Sequence, residues 1–146
     1  MKSSRVGRRV AGTAVTALML TAGAVAMASP AAAKANSIAL GKVALDTRQA
    51  SVIKADVTYS CDPGSDVHVA ATVTKLDKAD GKHPSIATGT LPNSKLVCDA
   101  DKHVARLTLR PKPHSSFRKG DDVKAAAAIV TPAGAHYADA EKAATL

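Results

Sequence analysis

The run from Ile53 to Cys61 alternates strictly between apolar and polar residues. Every second residue, including Val57 and Tyr59, is apolar, and Lys, Asp, Thr and Ser lie between them. A period of two places one face of a strand against a core and the other face in solvent. This run is therefore the clearest predicted β-strand in the chain, and it turns the Cys61 side chain inward.

Other short runs that suit β-strands follow, separated by turn residues. Strands are predicted at 38–45, 67–74, 86–91, 96–98, 105–110 and 123–131. The first of these is expected to be an edge strand broken at Gly41. Pro63-Gly64 predicts a turn within 62–66, which would join the strand at 53–61 to the strand at 67–74 as a hairpin.

For two segments, the residue propensities alone do not decide between a strand and a helix. Residues 123–131 include four consecutive alanines, which suit a helix, and we expect a strand there because the neighbouring segments are strands. Apolar residues on both faces of this run would bury it on both sides. The segment 136–146 is ambiguous between strand and helix.

About seven short strands with regularly spaced turns predict an all-β fold, a single small β-sandwich of the immunoglobulin-like kind. Immunoglobulin domains carry a core Trp, and this chain has none. They also place a Tyr-x-Cys motif at their second cysteine, whereas Tyr59-Ser60-Cys61 holds the first. We therefore expect the sandwich architecture, and the immunoglobulin topology stays open.

The first 35 residues have the layout of a secretory signal peptide. Four basic residues within 2–9 precede an uncharged apolar stretch at 10–27, and small residues follow. Such a segment is removed on export. We expect cleavage after Ala35, or alternatively after Ala33. The predicted domains are a signal peptide at 1–35 and a secreted β-sandwich at 36–146, extracellular and with no stable membrane insertion after cleavage. An uncleaved anchor is the alternative, although Gly and Thr dilute the apolar stretch.

Removal of residues 1–35 changes the charge of the protein. Five of the 20 Lys and Arg lie there and none of the 12 Asp and Glu, so the net charge falls from +8 to +3. A smaller positive charge weakens the case for nucleic acid, and we expect no nucleic-acid partner. Three aromatic residues (Tyr59, Phe117 and Tyr137) also leave few platforms for stacking bases or sugars.

Cys61 and Cys98 are the only cysteines. An even count in a small exported domain predicts one disulfide. A bond that closes a loop of about 38 residues should stabilise the fold by about 3.5–4 kcal/mol in the chain-entropy model. Two free buried thiols are the alternative, and a Cys-based metal site lacks nearby partner ligands.

The residue patterns that support catalysis or metal binding are missing from the sequence. The five histidines stand apart from one another and match no His-x-His or H-E-x-x-H motif, and no G-x-S-x-G or Gly-rich phosphate loop occurs. Three aspartate pairs could help to hold calcium but fit turns better: Asp62 with Asp66, Asp77 with Asp80, and Asp99 with Asp101. We expect no enzymatic activity, no metal and no cofactor.

The densest basic region lies between residues 106 and 119. Arg106 and Arg110 should share the polar face of one strand. The candidate surface for an anionic partner is formed by Arg106, Arg110, Lys112, Arg118 and Lys119. Clustered cations of this kind attract an anionic polymer or a phosphate-rich surface. A solvated strand face beside a soluble loop is the alternative.

Three short motifs accompany the N-terminal signal and the short β segment that follows it. They are Val57-Thr58-Tyr59-Ser60-Cys61, Val97-Cys98-Asp99 and the run from Phe117 to Ala125. In these features the chain resembles an uncharacterised family of small actinobacterial secreted proteins. The resemblance implies an immunoglobulin-like sandwich for nearly all of 36–146, and it implies no active residues.

The predicted function is a secreted, monomeric, non-enzymatic binding module. Its partner would be an extracellular protein or a cell-wall polymer, contacted through the loops at 77–85 and 111–120. The alternative is a protein inhibitor of an extracellular hydrolase, which would present one loop rigidly to an active site.

Overall fold

A computed structural model describes residues 36–76 and 84–146. They form an all-β fold, as predicted, with one short 3-10 helix at Asn93–Lys95. The seven strands are β1 (Ser37–Leu45), β2 (Ile53–Ser60), β3 (His68–Lys75), β4 (Ile86–Leu91), β5 (His103–Pro111), β6 (Asp122–Val130) and β7 (His136–Thr145). The predicted signal peptide at 1–35, its cleavage sites and most of the loop predicted at 77–85 lie outside the described residues. In the described part of the chain, no helix is long and apolar enough for a membrane crossing.

The alternation seen in the sequence becomes the inner and outer faces of the strands. In β2, Ile53, Ala55 and Val57 are buried, while Lys54 and Asp56 between them are partly exposed. In β5, Leu107 and Leu109 are buried, and Arg106 and Arg110 lie on the outer face. Both strand predictions are confirmed, and so is the prediction that the two arginines share one face.

All seven strands belong to one antiparallel sheet in the order β1-β2-β5-β4-β3-β6-β7. The sheet is continuous but narrow at one point, because only Ala87 with Pro111 and Thr88 with Arg110 pair β4 to β5. At the other side the outer edges of β1 and β7 lie against each other. There the Nζ of Lys142 donates a hydrogen bond of 3.0 Å to the Gly41 carbonyl. The sheet thus nearly closes on itself around the core.

The predicted hairpin of β2 and β3 is wrong. The turn exists, since the Ser65 N–H donates to the Asp62 carbonyl at 3.1 Å and Gly64 has a φ of 73°. However, β2 pairs with β1 and β5, and β3 pairs with β4 and β6. A period of two reports which residues face the core but does not report which strand is the neighbour. The turn therefore carries the chain between two parts of the sheet.

The predicted strand at 96–98 is also wrong, although the predicted disulfide is confirmed. Residues 96–98 follow the 3-10 helix as irregular chain. Cys98 is bonded to Cys61 with an S–S distance of 2.04 Å. The disulfide and a hydrogen bond from the Val97 N–H to the Tyr59 hydroxyl hold this segment beside the end of β2. The segment is therefore fixed without the backbone hydrogen bonds of a β-strand.

The two ambiguous segments are strands, as is the N-terminal segment. β7 pairs with β6 along its length. β6 is confirmed as a strand, but Lys124 is exposed, and burial on both faces is limited to Ala127–Val130. β1 lies at the sheet edge, and its register shifts between Leu40 and Val43, as the break predicted at Gly41 requires.

The core is built mostly from Val, Ile, Leu and Ala, with Tyr59 and Phe117 as its aromatic members. At Gly89, the β4 backbone lies close to the backbone of β5. A Cβ atom at this position would collide with the backbone carbonyl of Thr108. The narrow junction between β4 and β5 therefore depends on a residue without a side chain.

The strand registers define two ends of the domain. Leu45 pairs with Ile53, which pairs with Leu109, so the segments that follow these strand ends meet at one end. We call this the basic end; it comprises residues 46–52, 75–76, 84–86, 110–122 and 146. The opposite end, which we call the disulfide end, comprises residues 61–67, 92–102 and 131–135.

Candidate binding surface

Charged side chains are unevenly divided between the two ends. Among the described residues the basic end has six Lys and Arg against three Asp: Arg48, Lys75, Arg110, Lys112, Arg118 and Lys119 against Asp46, Asp121 and Asp122. The disulfide end has the reverse balance: Lys95 and Lys102 against Asp62, Asp66, Asp99 and Asp101. The domain therefore has a positive end and a negative end.

Arg110 and Lys112 lie where β5 leaves the sheet. Arg110 is exposed opposite Thr88, and the backbone N–H of Lys112 donates to the carbonyl of Ile86 at 2.8 Å. Neither side chain forms a hydrogen bond or ion pair within the described residues. The backbone is thus fixed at this point, while both cationic groups stay available to a partner.

Serine side chains fasten the loop after Lys112 to the start of β4. The Ser115 Oγ accepts a hydrogen bond of 2.9 Å from the Ile86 N–H. The Ser85 Oγ accepts one of 3.1 Å from the Ser116 N–H. Both bonds join segments about thirty positions apart in the chain, so they restrain the loop against the sheet rather than only against itself.

The same loop is anchored in the core by one side chain and is exposed at its tip. The Phe117 side chain is 5% exposed and belongs to the core. Pro113 and His114 are exposed, and His114 has a φ of 64°, in the left-handed region. A buried anchor, two serine hydrogen bonds and a proline therefore leave the loop tip little conformational freedom.

Arg118 and Lys119 lie in the turn that leads into β6. The Arg118 N–H donates to Asp121 at 2.8 Å, and the Lys75 Nζ lies 2.9 Å from the same carboxylate. Burial acts to raise the pKa of Asp121, but the hydrogen bonds from Lys75 and the Arg118 N–H outweigh burial and lower it. Asp121 therefore stays ionised and holds the turn, while the side chains of Arg118 and Lys119 form no hydrogen bond in the described part of the chain.

Arg106 is set apart from the other four predicted residues by its partner. Its Nε donates to Asp56 Oδ1 at 2.6 Å, and its Nη2 donates to Oδ2 at 3.2 Å. The Arg106 hydrogen bonds lower the pKa of Asp56, opposed by partial burial, and Asp56 raises the pKa of Arg106. Arg106 also lies four residues from Arg110 along β5, about 13 Å at the rise of a strand. Its charge is largely neutralised by Asp56, unlike that of Arg110.

Sequence reasoning missed Arg48, which the structure places at the basic end. Arg48 lies in the connection between β1 and β2, and its N–H donates to Asp46 Oδ1 at 2.8 Å. The signal was the short, polar link between two predicted strands. Pairing those strands as a hairpin would have brought Arg48 to the same end as Arg110.

Two histidines each have one carboxylate partner. His103 Nε2 lies 2.7 Å from Asp99, and His136 Nδ1 lies 2.6 Å from Asp139. The His103 bond lowers the pKa of Asp99. Among residues 36–76 and 84–146, no three His, Cys, Asp or Glu side chains are grouped so that they could hold a metal ion.

The basic end thus combines restrained backbone with exposed cations, among them Arg110, Lys112, Arg118 and Lys119, whose side chains form no hydrogen bond or salt bridge within the described residues. Such an arrangement can hold an extended anion by charge, and it offers rigid contact at the loop tip. No protein-family model, no curated protein and no solved structure matches this chain.

Proposed function

We propose that the protein is a secreted, monomeric, non-enzymatic module that binds a polyanionic extracellular partner, such as a cell-wall polymer, at its basic end. The observation that carries the proposal is a set of four cationic side chains on restrained backbone: Arg110, Lys112, Arg118 and Lys119 form no side-chain hydrogen bond or salt bridge within residues 36–76 and 84–146. The gathering of acidic residues at the disulfide end supports it further, because that charge distribution orients the domain toward an anionic surface.

The expected affinity comes from several weak contacts. One exposed ion pair contributes about 0.2–1 kcal/mol, so a polymer with repeated charges gains most by engaging several cations at once. Exposed charges are screened by salt over about 8–10 Å. Binding should therefore weaken steeply as ionic strength rises.

The extracellular location is part of the proposal. The Cys61–Cys98 disulfide supports it, because such bonds persist in oxidising compartments. The signal-like composition of residues 1–35 supports it as well. Membership in the family of small actinobacterial secreted proteins that the chain resembles is proposed on the same grounds.

We also propose that the fold is an immunoglobulin-like sandwich. Its support is the strand order β1-β2-β5-β4 followed by β3-β6-β7. In constant-type immunoglobulin domains, strands A, B, E and D form one sheet and strands C, F and G form the other. Numbered along the chain, these are strands 1, 2, 5 and 4 and strands 3, 6 and 7, the same two groups. The departures are the pairing of β4 with β3 and the position of the disulfide, which lies beside β2 and ahead of β5 rather than between the two sheets.

Retention of the purified protein on an insoluble, phosphate-rich wall polymer tests the proposed function. Two variants lose the same number of cations: K112A/K119A at the basic end, and K95A/K102A at the disulfide end. The parent and K95A/K102A should elute at the same high NaCl concentration, and K112A/K119A should elute at a clearly lower one. If the two variants elute at the same NaCl concentration, retention depends on net charge alone and not on the basic end, which would contradict the proposed site. A parent protein that is not retained would contradict the proposal as a whole.

The restrained loop also favours a second candidate, an inhibitor of an extracellular hydrolase. Its tip at Pro113 and His114 is exposed while Ser115 and Phe117 hold it in place, and such preorganisation lowers the entropic cost of binding an active site. A panel of secreted hydrolases assayed with the parent and with H114A would test this. Stoichiometric inhibition by the parent that weakens in H114A would support the inhibitor, and an uninhibited panel would reject it.

A further inference from the structure

A groove of about 490 Å³ lies on the outer face of β1, β2 and β5. Its lining includes Lys42 on β1, Lys54 and Asp56 on β2, Arg106 on β5 and the start of the connection after β1. The groove reaches the basic end at Arg48 but is a separate surface, since it lies along the face of the strands rather than at their ends.

The two carboxylates of the groove are both engaged by cations or N–H groups. Asp56 accepts the two hydrogen bonds from Arg106 described above. Asp46 accepts the Arg48 N–H at 2.8 Å and lies 3.4 Å from the Lys54 Nζ. Hydrogen bonding from the Arg48 N–H and from Lys54 lowers the pKa of Asp46 against partial burial. Each carboxylate therefore acts to orient a neighbouring cation.

Oriented donors remain on the groove side of these pairs. The Lys54 Nζ also donates to Thr108 Oγ1 at 2.7 Å, so the ammonium group is held between Thr108 and Asp46 and still has N–H capacity for an anion. The Arg106 fork has five N–H donors, of which Asp56 takes two. An anion entering the groove would meet groups already held in position, so little side-chain entropy is lost on binding.

Two further cations in the groove, Lys42 and Arg48, form no side-chain hydrogen bond within the part of the chain that the structure describes. Lys42 interacts with Asp56 by charge, without a hydrogen bond among the described residues. The Arg48 guanidinium forms no hydrogen bond or ion pair among them. Four cations thus face two carboxylates, which leaves an excess of two positive charges. A phosphate monoester carries about −1.5 to −2 at neutral pH, so it matches this excess.

We propose that the groove binds a phosphate ester of a polyol or sugar. The phosphate would lie between Lys42 and Arg48, with further N–H donors from Lys54 and Arg106. Thr47 also lines the groove and would offer a hydroxyl group to the polyol. The phosphate ester could come from a wall polymer or from a free phosphorylated metabolite. The inference rests on the proposed function where the source is the wall polymer.

Two-dimensional NMR titration of the protein with defined probes tests the site. Glycerol 3-phosphate represents the free monoester, a short poly(glycerol phosphate) represents the polymer, and glycerol is the neutral control. We expect amide shifts at residues 42–48 and at Lys54 and Arg106 with the phosphate probes and none with glycerol. Binding by the monoester alone would assign the site to free metabolites, and binding by the oligomer alone would assign it to the polymer; either supports the site.

Variants separate this site from the four cations of the proposed function, Arg110, Lys112, Arg118 and Lys119. K42A and R48A should each raise the dissociation constant for the responding probe about three- to fivefold, the loss of one exposed charge pair, while K102A should leave it unchanged. Urea midpoints equal to the parent would show that both variants stay folded. Unchanged dissociation constants in K42A and R48A, or shifts confined to residues 110–121, would overturn the proposal.

The same variants distinguish failure of the site from failure of the proposed function. A protein that is retained on wall polymer through Lys112 and Lys119, yet shows no groove shifts with any probe, would overturn the groove alone. A protein that binds glycerol 3-phosphate in the groove but is not retained on the polymer would keep the phosphate site and contradict the proposed function.

Discussion

The Tyr59 hydroxyl oxygen accepts a hydrogen bond of 3.1 Å from the backbone N–H of Val97. Tyr59 lies two residues before Cys61, and Val97 lies one residue before Cys98, so the hydrogen bond and the disulfide join the same two segments. The Tyr59 ring is 3% exposed. The irregular chain at 96–98 is therefore held to β2 by one covalent and one polar contact placed side by side.

Replacing Tyr59 by Phe should lower the free energy of unfolding by about 1–2 kcal/mol. The ring still fills its place in the core, and the cost comes from the lost hydrogen bond and the unsatisfied N–H of Val97. Urea denaturation measures the change. V97A is the control, because it keeps the N–H and trims a side chain that is 51% exposed. A Y59F curve that overlays that of V97A would show that the hydrogen bond contributes nothing.

Replacing Gly89 by Ala should destabilise the fold by about 1–3 kcal/mol, the usual cost of forcing extra atoms into a packed site. The added Cβ would meet the Thr108 carbonyl, and that backbone cannot move without disturbing β5. Thermal unfolding measures the loss. T90A, next in the same strand and exposed, should change the midpoint only slightly. A stable G89A would mean that β4 can move away from β5 freely.

Reducing the disulfide should lower the free energy of unfolding by about 3.5–4 kcal/mol, since the unfolded chain regains the entropy of a loop of about 38 residues. Urea curves recorded with and without a reductant give the difference. Alkylation of Cys61 and Cys98 before and after reduction verifies the redox state of each sample. Identical midpoints for the oxidised and reduced protein would contradict this prediction.

Acid should weaken the fold in part through Asp56. The Arg106 hydrogen bonds lower the folded pKa of Asp56 below its unfolded value of about 3.9. The contribution is therefore fully present above that value and is lost as pH falls through the lowered folded pKa. Urea midpoints from pH 6 to pH 2.5 should fall less steeply in D56N than in the parent. D101N, in an exposed loop, is the control, and a D56N curve parallel to that of the parent would refute the assignment.

Replacing Ala100 by Gly should stabilise the fold by about 0.5 kcal/mol, the net of a relieved left-handed conformation and a more flexible unfolded chain. Ala100 has a φ of 72°, and its N–H donates to the Cys61 carbonyl at 3.0 Å. A133G, in a turn without a positive φ, should instead destabilise the fold. Thermal midpoints that move in the same direction for both variants would disprove the argument.

The elements that could be predicted are those set by local pattern. The alternation from Ile53 to Ser60 and from Ala105 to Arg110 gave both strands and both faces correctly. The pairing of strands could not be read in this way, because β2 and β3 bury their apolar faces in one core whether or not they are neighbours. The strand expected at 96–98 failed for a related reason, since a disulfide and the Tyr59 hydroxyl, both distant in sequence, replaced the ladder.

The candidate surface shows the same division. The outward position of Arg106 and Arg110 follows from the period of two in β5. The neutralisation of Arg106 does not, because Asp56 lies fifty residues earlier and meets it only through the pairing of β2 with β5. The position of Arg48 beside the groove likewise depends on the register of β1 with β2. Charge along the chain therefore identified candidates, and long-range pairing decided which cations stay free.

The course of β1 determines how the protein can be handled on a support. Asn36 lies beside Asp62, at the disulfide end, and donates to its carboxylate at 3.0 Å. Nine strand residues, about 30 Å of chain, separate it from the basic end. Coupling through a linker ahead of Asn36 would therefore leave Lys112 and Lys119 pointing away from the surface. An affinity tag fused after Leu146, whose carbonyl accepts the Gly120 N–H, would instead crowd the basic end and mask the binding it was meant to report.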